Sequence, residues 1–223
     1  LSGKALAARR KAEAQEAGRR FGVQYEVLDI PDGELLPTLE NRLKVIRLIR
    51  EWKADLVLAH RPNDYHPDHR YTGILVQDAA YLVIVPNILP EVPPMPNNPV
   101  FMYTRDGFQR PNPFRPDVAV DISAVFPQKL NGIDAHTSQV YEWLPWTRHD
   151  TTVPTDPQQR KQWLGTVYAG RSRVTPEVKT SLEKGYGKDR AASVTHAEAF
   201  ELCEYGRNPS EEELRRLFPM LGK

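Results

Sequence analysis

The chain has 223 residues, enough for one sizeable core, and its 30 basic and 29 acidic residues leave a formal net charge of +1. That balance provides no global field for nucleic acid or an acidic membrane, and no apolar run approaches the ~20 residues of a spanning helix. A single cysteine, Cys203, excludes an intrachain disulfide and a thiolate metal cluster and fits a reducing, cytoplasmic compartment.

Residues 4–21 are helical in composition, with Ala7, Ala14, Ala17, Gly18 and Phe21 making one narrow face of small residues suited to packing on a sheet. Gly22 stops that helix, Gln24–Ile30 alternates as a strand would, and Pro31-Asp32-Gly33 turns the chain. Thr38 can cap a second helix through Trp52, with Leu39, Leu43, Ile46 and Ile49 toward the core and Arg42, Lys44, Arg47 and Arg50 toward water. Leu56–Ala59 is a continuous apolar tract of the kind buried on both faces of a sheet.

This strand runs into His60, Arg61, Pro62, Asn63 and Asp64, and then into His66-Pro67-Asp68-His69. Ligands of open α/β sheets sit outside the carboxyl ends of strands, where this loop lies. If Asp68 caps a helix running to about Val83, His69 falls in its first turn and His66 just outside. One imidazole can then bind a metal while the other meets substrate. The plain alternative is two solvated histidines beside a cap, disfavoured by the coincidence of acids, proline and a preceding buried strand. Helix and strand alternate through this region, so the fold expected is α/β, a Rossmann-like three-layer arrangement with a mainly parallel sheet.

Proline is abundant, with 20 residues in all, and clusters in 86–116 and 145–157. These segments also carry aromatic and branched residues and are read as stiff, ordered loops, the first of them flanking the site. Val100–Tyr103 and Asp117–Ile122 are further strands. Pro127 opens a helix carrying Leu130, Ile133, Thr137, Val140 and Tyr141, on which His136 either points to the site or packs as an ordinary helix histidine. Trp143 and Trp146 suit core or rim packing, and Ser210 with Glu213 makes a capping box for a terminal helix ending near Phe218. Residues from about 150 to 223 form a C-terminal extension that closes the fold or makes a homo-oligomer contact.

HRPNDYHPDHR, with Arg10-x-x-Glu13 before it and KLNGIDAHTSQ after it, resembles the PIG-L or LmbE-like family of zinc-dependent N-deacetylases, over roughly residues 4–145. The resemblance implies one deacetylase domain over 1–223 that holds Zn²⁺, or another divalent metal, and removes an N-acetyl group from a small-molecule amino-sugar conjugate of the N-acetylglucosamine type. It implies that His69 ligates the metal, that His66 stabilises the oxyanion or protonates the leaving amine, and that Asp68 holds the His66 imidazole. Asn63, Asp64 and His136 are implied in substrate binding, as is Arg10, which could equally be one more solvated cation beside Arg9 and Lys11. The family's His-Pro-Asp-Asp motif, source of two ligands and the general base, is missing. His60, His136, His149 and His196 are followed by Arg, Thr, Asp and Ala, so that motif is expected upstream of Leu1. A sugar-binding module of the same fold without a complete metal site is the competing reading, whereas Asp55, Asp64 and Asp68 alone do not make a two-metal phosphoesterase.

Overall fold

The computed structural model describes residues 2–222. In chain order its elements are α1 (Gly3–Phe21), α2 (Leu39–Trp52), β1 (Leu56–Ala59), α3 (Pro67–Leu82), β2 (Val100–Thr104), β3 (Val118–Asp121), α4 (Phe126–Asp134), a π-helical turn (Ser138–Trp143), α5 (Leu144–Thr147), α6 (Pro157–Ala169), α7 (Pro176–Tyr186), α8 (Lys188–Ser193), β4 (Ala197–Cys203) and α9 (Glu211–Leu217). They fall into two compact units. The first comprises the chain through Asp29, Asp121–Val174 and Val194–Ala197; the second comprises Ile30–Val120, Thr175–Ser193 and the chain from Glu198.

The second unit is a mixed α/β body. Thr38 caps α2 by accepting from the Asn41 amide at 3.3 Å, and Lys53 ends it in the left-handed conformation. Ile46 and Ile49 then meet Ala79 and Ala80 of α3, Val83 just beyond it and Phe101 of β2 in one core cluster. Complete burial of a side chain such as Ile46 contributes roughly 1.5–3 kcal/mol. The strand order is β1-β2-β4-β3; β1 runs parallel to β2, with Leu56 opposite Val100, and β4 runs antiparallel to β2, with Phe101 opposite Cys203. The mainly parallel sheet expected from the sequence is therefore corrected to a mixed one. The alternation of helix and strand holds only from α2 to β2. The seven-residue β4, buried at Ala197, Ala199 and Cys203, arrives from the C-terminal third and inserts beside β2.

Arg50 is a second correction. It is not on the solvated face but 3% exposed, and its guanidinium donates to the carbonyls of Leu82, Val83, Val85, Ile88, Leu89 and Val92 at 2.5–3.1 Å. It closes the C-terminal end of α3 and the turn beyond it, where orphan carbonyls accumulate. Arg42 and Lys44 do lie outward, paired with Asp78 and Glu40.

In the first unit, α1 buries Glu13, Ala14, Ala17 and Gly18. A Cβ on Gly18 would stand 2.9 Å from the Val23 carbonyl oxygen, and one on Gly132 of α4 would enter the Phe21 ring. The small face of α1 thus serves the chain's own return and α4. Gln24–Ile30 forms no strand: Tyr25 and Val27 are 48% and 39% exposed, and alternation yields a strand only where a neighbour supplies hydrogen bonds. The helix opened by Pro127 ends at Asp134, short of Tyr141, and the Asp134 carboxylate accepts from Arg20 and from the Tyr141 hydroxyl at 2.9 and 2.8 Å.

Replacing Arg50 by Met removes the guanidinium donor shared by six carbonyls. Urea unfolding should report a loss of about 3 kcal/mol, the scale set by unsatisfied buried polar groups; a change below about 0.5 kcal/mol, the size of ordinary surface substitutions, would show that Arg50 is incidental.

Candidate functional site

The site begins where β1 ends. His66, and not Asp68, is the N-cap of α3: its backbone is extended, Pro67 and Asp68 follow in the first turn, and its Nδ1 accepts the Asp68 N–H at 3.2 Å. An amide can only donate, so the neutral His66 ring carries its proton on Nε2. That nitrogen lies 3.6 Å from Asp32 Oδ1. Asp68 thus holds His66 through its backbone rather than its carboxylate, as the resemblance implied. Asp68 Oδ2 accepts the Gly33 N–H at 2.7 Å, while its buried Oδ1 has no hydrogen-bond partner.

His69 carries the opposite tautomer. Its Nδ1 lies 2.9 Å from Asp64 Oδ1, and a carboxylate can only accept, so the proton is on Nδ1 and the Nε2 lone pair is free. The same Asp64 oxygen accepts the His66 N–H at 3.0 Å, and Arg70 donates to the Asp64 and Tyr65 carbonyls. Asp64, expected among substrate-binding residues, contacts both histidines. The His66 and His69 ring centroids stand 5.0 Å apart, close enough for one shared site, and Tyr65 meets His69 edge-on at 5.4 Å.

His60 was not singled out by sequence reasoning. Its ring stacks on His69 at 4.2 Å with 3° between planes, and burial first, then the proximity of His69, lowers its pKa. The available signal was Gly73, one helical turn beyond His69, where a Cβ would stand 2.7 Å from the His60 carbonyl oxygen.

Arg61, 4% exposed, anchors the proline-rich segment. It forms a bidentate pair with Asp106 at 2.6 and 2.8 Å and donates to the Phe108 and Asn112 carbonyls. Asn63, expected to face substrate, donates to the Arg110 carbonyl at 3.4 Å. Residues 105–112 therefore flank the histidine loop as expected. Residues 88–99 do not: the carbonyls of Ile88, Leu89 and Val92 cap Arg50, and Val100 N meets Asp55 O at the amino end of β1, opposite His60.

Arg10 and His136 belong to the first unit. Arg10 is half-buried on α1. His136 is not on a helix but in the break after α4, its N–H on the Ile133 carbonyl, its ring 6.2 Å from that of Tyr25, and its pKa lowered by burial. The residue that organises this break is Glu13. Its carboxylate accepts the Ser138 N–H at 3.0 Å, the Ser138 hydroxyl at 2.6 Å and the Thr137 hydroxyl at 2.9 Å, capping the π-helical turn, and it also takes Arg9 Nε at 3.0 Å.

Two groups bring candidate ligand atoms within 4.8 Å of one another: His60, Asp64 and His69, and Asp32, His66 and Asp68. Tetrahedral zinc with bonds of ~2.0–2.1 Å sets its ligand atoms roughly 3.3 Å apart, within reach of small side-chain rotations. The donor chemistry fits a divalent metal at His69, an imidazole held by a carboxylate on one nitrogen and open on the other. The cluster carboxylates supply oxygen donors.

The fold is α/β, with a mixed sheet whose first strand opens into this histidine loop, and residues 2–80 match the family described as PIG-L, GlcNAc-PI de-N-acetylase. Over 140 residues the chain is 25% identical to the 4-oxalmesaconate hydratase of Pseudomonas putida, a match covering 62% of this chain and 54% of that protein. The chain thus spans about half the length of this curated relative. Its fold is similar to that of the N,N'-diacetylchitobiose deacetylase from Pyrococcus horikoshii, with a TM-score of 0.63 and 24% identity over 95% of this chain and 70% of that one. It is also similar to the 4-carboxy-2-hydroxymuconate hydratase from Pseudomonas putida, with a TM-score of 0.66 and 17% identity over 95% and 77%. Among the described residues no helix is long and apolar enough to cross a membrane.

Burial pushes the Glu13 carboxyl up, but the Ser138, Thr137 and Arg9 contacts outweigh it and hold it below the usual carboxylate range. A depressed carboxylate contributes stability that is present above its unfolded pKa and lost as pH falls through the folded one. Glu13→Gln should therefore be less stable at pH 7, and the gap should close on acidification below about pH 4. Chemical unfolding at neutral and acid pH checks this; a gap that stays constant would mean that Glu13 acts only through packing.

Proposed function

We propose that the protein is a metal-dependent hydrolase that removes an N-acetyl group from an amino-sugar conjugate of the N-acetylglucosamine type, with Zn²⁺ as its metal. The observation that carries this reading is the pair of opposite tautomers three residues apart: an Nε2 lone pair on His69 and an Nε2–H on His66.

His69 Nε2 would hold the metal, which when bound would supply Lewis-acid chemistry toward an acyl oxygen and a water molecule. Asp64 fixes the ligating tautomer of His69 and strengthens it as a donor. His66 presents its Nε2–H to the oxygen that gains charge when water adds to the acetyl carbonyl, or passes that proton to the departing amine nitrogen. The carboxylates of Asp32 and Asp68 lie in the same cluster as His66. Arg10 and His136 are assigned to substrate contact by resemblance alone, and Asn63 supports the flanking loop. The substrate is a small molecule taken up without nucleic acid or a membrane partner, in the cytoplasm, and a homo-oligomer is compatible with this reading.

A second reading has a specific observation behind it, the 25% identity to a hydratase. There the same machinery would add water across a carbon–carbon double bond beside a carboxylate. Acetate release from N-acetylglucosamine conjugates, assayed beside loss of the conjugated alkene of 4-oxalmesaconate, separates the two. For either substrate His69→Ala should release the metal and abolish turnover, whereas His66→Ala should keep the metal and lower kcat by about 10²–10⁴. Full activity in His69→Ala would overturn the metal assignment.

A further inference from the structure

Resting on the metal reading above, we infer that His60 is a positioning residue: its ring is a flat shelf that holds the plane of His69, and it is not itself a ligand.

Three observations carry this. Asp64 grips His69 at one atom, Nδ1, which leaves the imidazole free to tilt about that hydrogen bond, because the final torsion of a histidine is broad. The His60 ring, 4.2 Å away and within 3° of parallel, removes this freedom by contact over a whole face. His60 is in turn fixed: its carbonyl sits against Gly73 where a Cβ would fall at 2.7 Å, and the next residue is the buried Arg61 with its Asp106 pair. Tyr65, edge-on at 5.4 Å, adds a further contact to His69.

The same geometry argues against His60 as a ligand, although its nitrogens lie near those of His69 and Asp64. Imidazole lone pairs lie in the ring plane. Two stacked rings are separated by about 3.5 Å, so an ion in the plane of one stands about that far outside the plane of the other, beyond a ~2.1 Å bond.

The test compares His60→Ala and His60→Phe with the unaltered protein. Zinc competition against a chromogenic chelator should show His60→Phe within about threefold of the original affinity and His60→Ala weaker by about tenfold or more, the range typical of outer-shell partners. Equal losses in both variants would make His60 a ligand, and no loss in His60→Ala would remove it from the site; either overturns the inference. The second readout needs no metal: the proton NMR signal of the His69 Nδ1–H should persist in His60→Phe and broaden in His60→Ala, and an unchanged signal in both counts against the shelf. His69→Ala serves as the control. If it binds zinc undiminished the metal reading fails, while the Nδ1–H signal still decides the role of His60.

Discussion

One carboxylate oxygen sets the chemistry of the histidine loop. Asp64 Oδ1 takes both the His69 Nδ1–H and the His66 backbone N–H, so a single atom orients one ring and fixes the start of the helix that carries both. The Asp68 amide acts from the other direction, drawing the His66 lone pair onto Nδ1. Two identical side chains are thereby made chemically opposite, one a lone-pair donor and one a proton donor, without any change of residue type. Proline at the first helical position presets this geometry, since it has no amide to satisfy and its φ already matches the helix.

Two buried arginines support this constraint at opposite ends of the β1 region. Arg50 gathers the carbonyls behind α3 and so fixes the far end of the helix whose first turn holds the histidines. Arg61 pins residues 106–112 beside the loop with a charge-assisted pair and two carbonyl contacts. Both guanidiniums are nearly sealed from water, a position tolerable for a planar group with five donors only where each finds an acceptor. A lysine, with three donors on a point charge, could not reproduce either set of contacts.

The histidine loop, β1 and α2 were legible because their signals are local: an apolar run, a capping threonine and a dense cluster of imidazole and carboxylate. Other features depended on partners distant in sequence. Arg50 follows Ile46 by four residues and so belongs to the buried face, but its charge hid it from a reading based on apolar periodicity. The two glutamates in β4 masked a strand whose alternation is clear once its neighbours are known, and Gln24–Ile30 shows the reverse error, alternation with no strand beside it. His60 escaped notice although it opens the HRPNDYHPDHR stretch, because its stacking on His69 follows from the fold: its carbonyl packs against a glycine thirteen residues later. The contacts of Asp64 and Asn63 follow from hydrogen-bond geometry that residue type does not specify.

Residues 2–80 match the PIG-L family model, and the fold is similar to those of a deacetylase and of a hydratase, two proteins of different chemistry. What the loop contributes is the pairing of one open lone pair with one available proton. Nitrogen-15 NMR of the imidazoles in the metal-free protein at neutral pH reads that pairing directly. The account predicts the Nδ1–H tautomer for His69 and the Nε2–H tautomer for His66; the same tautomer in both rings would contradict it.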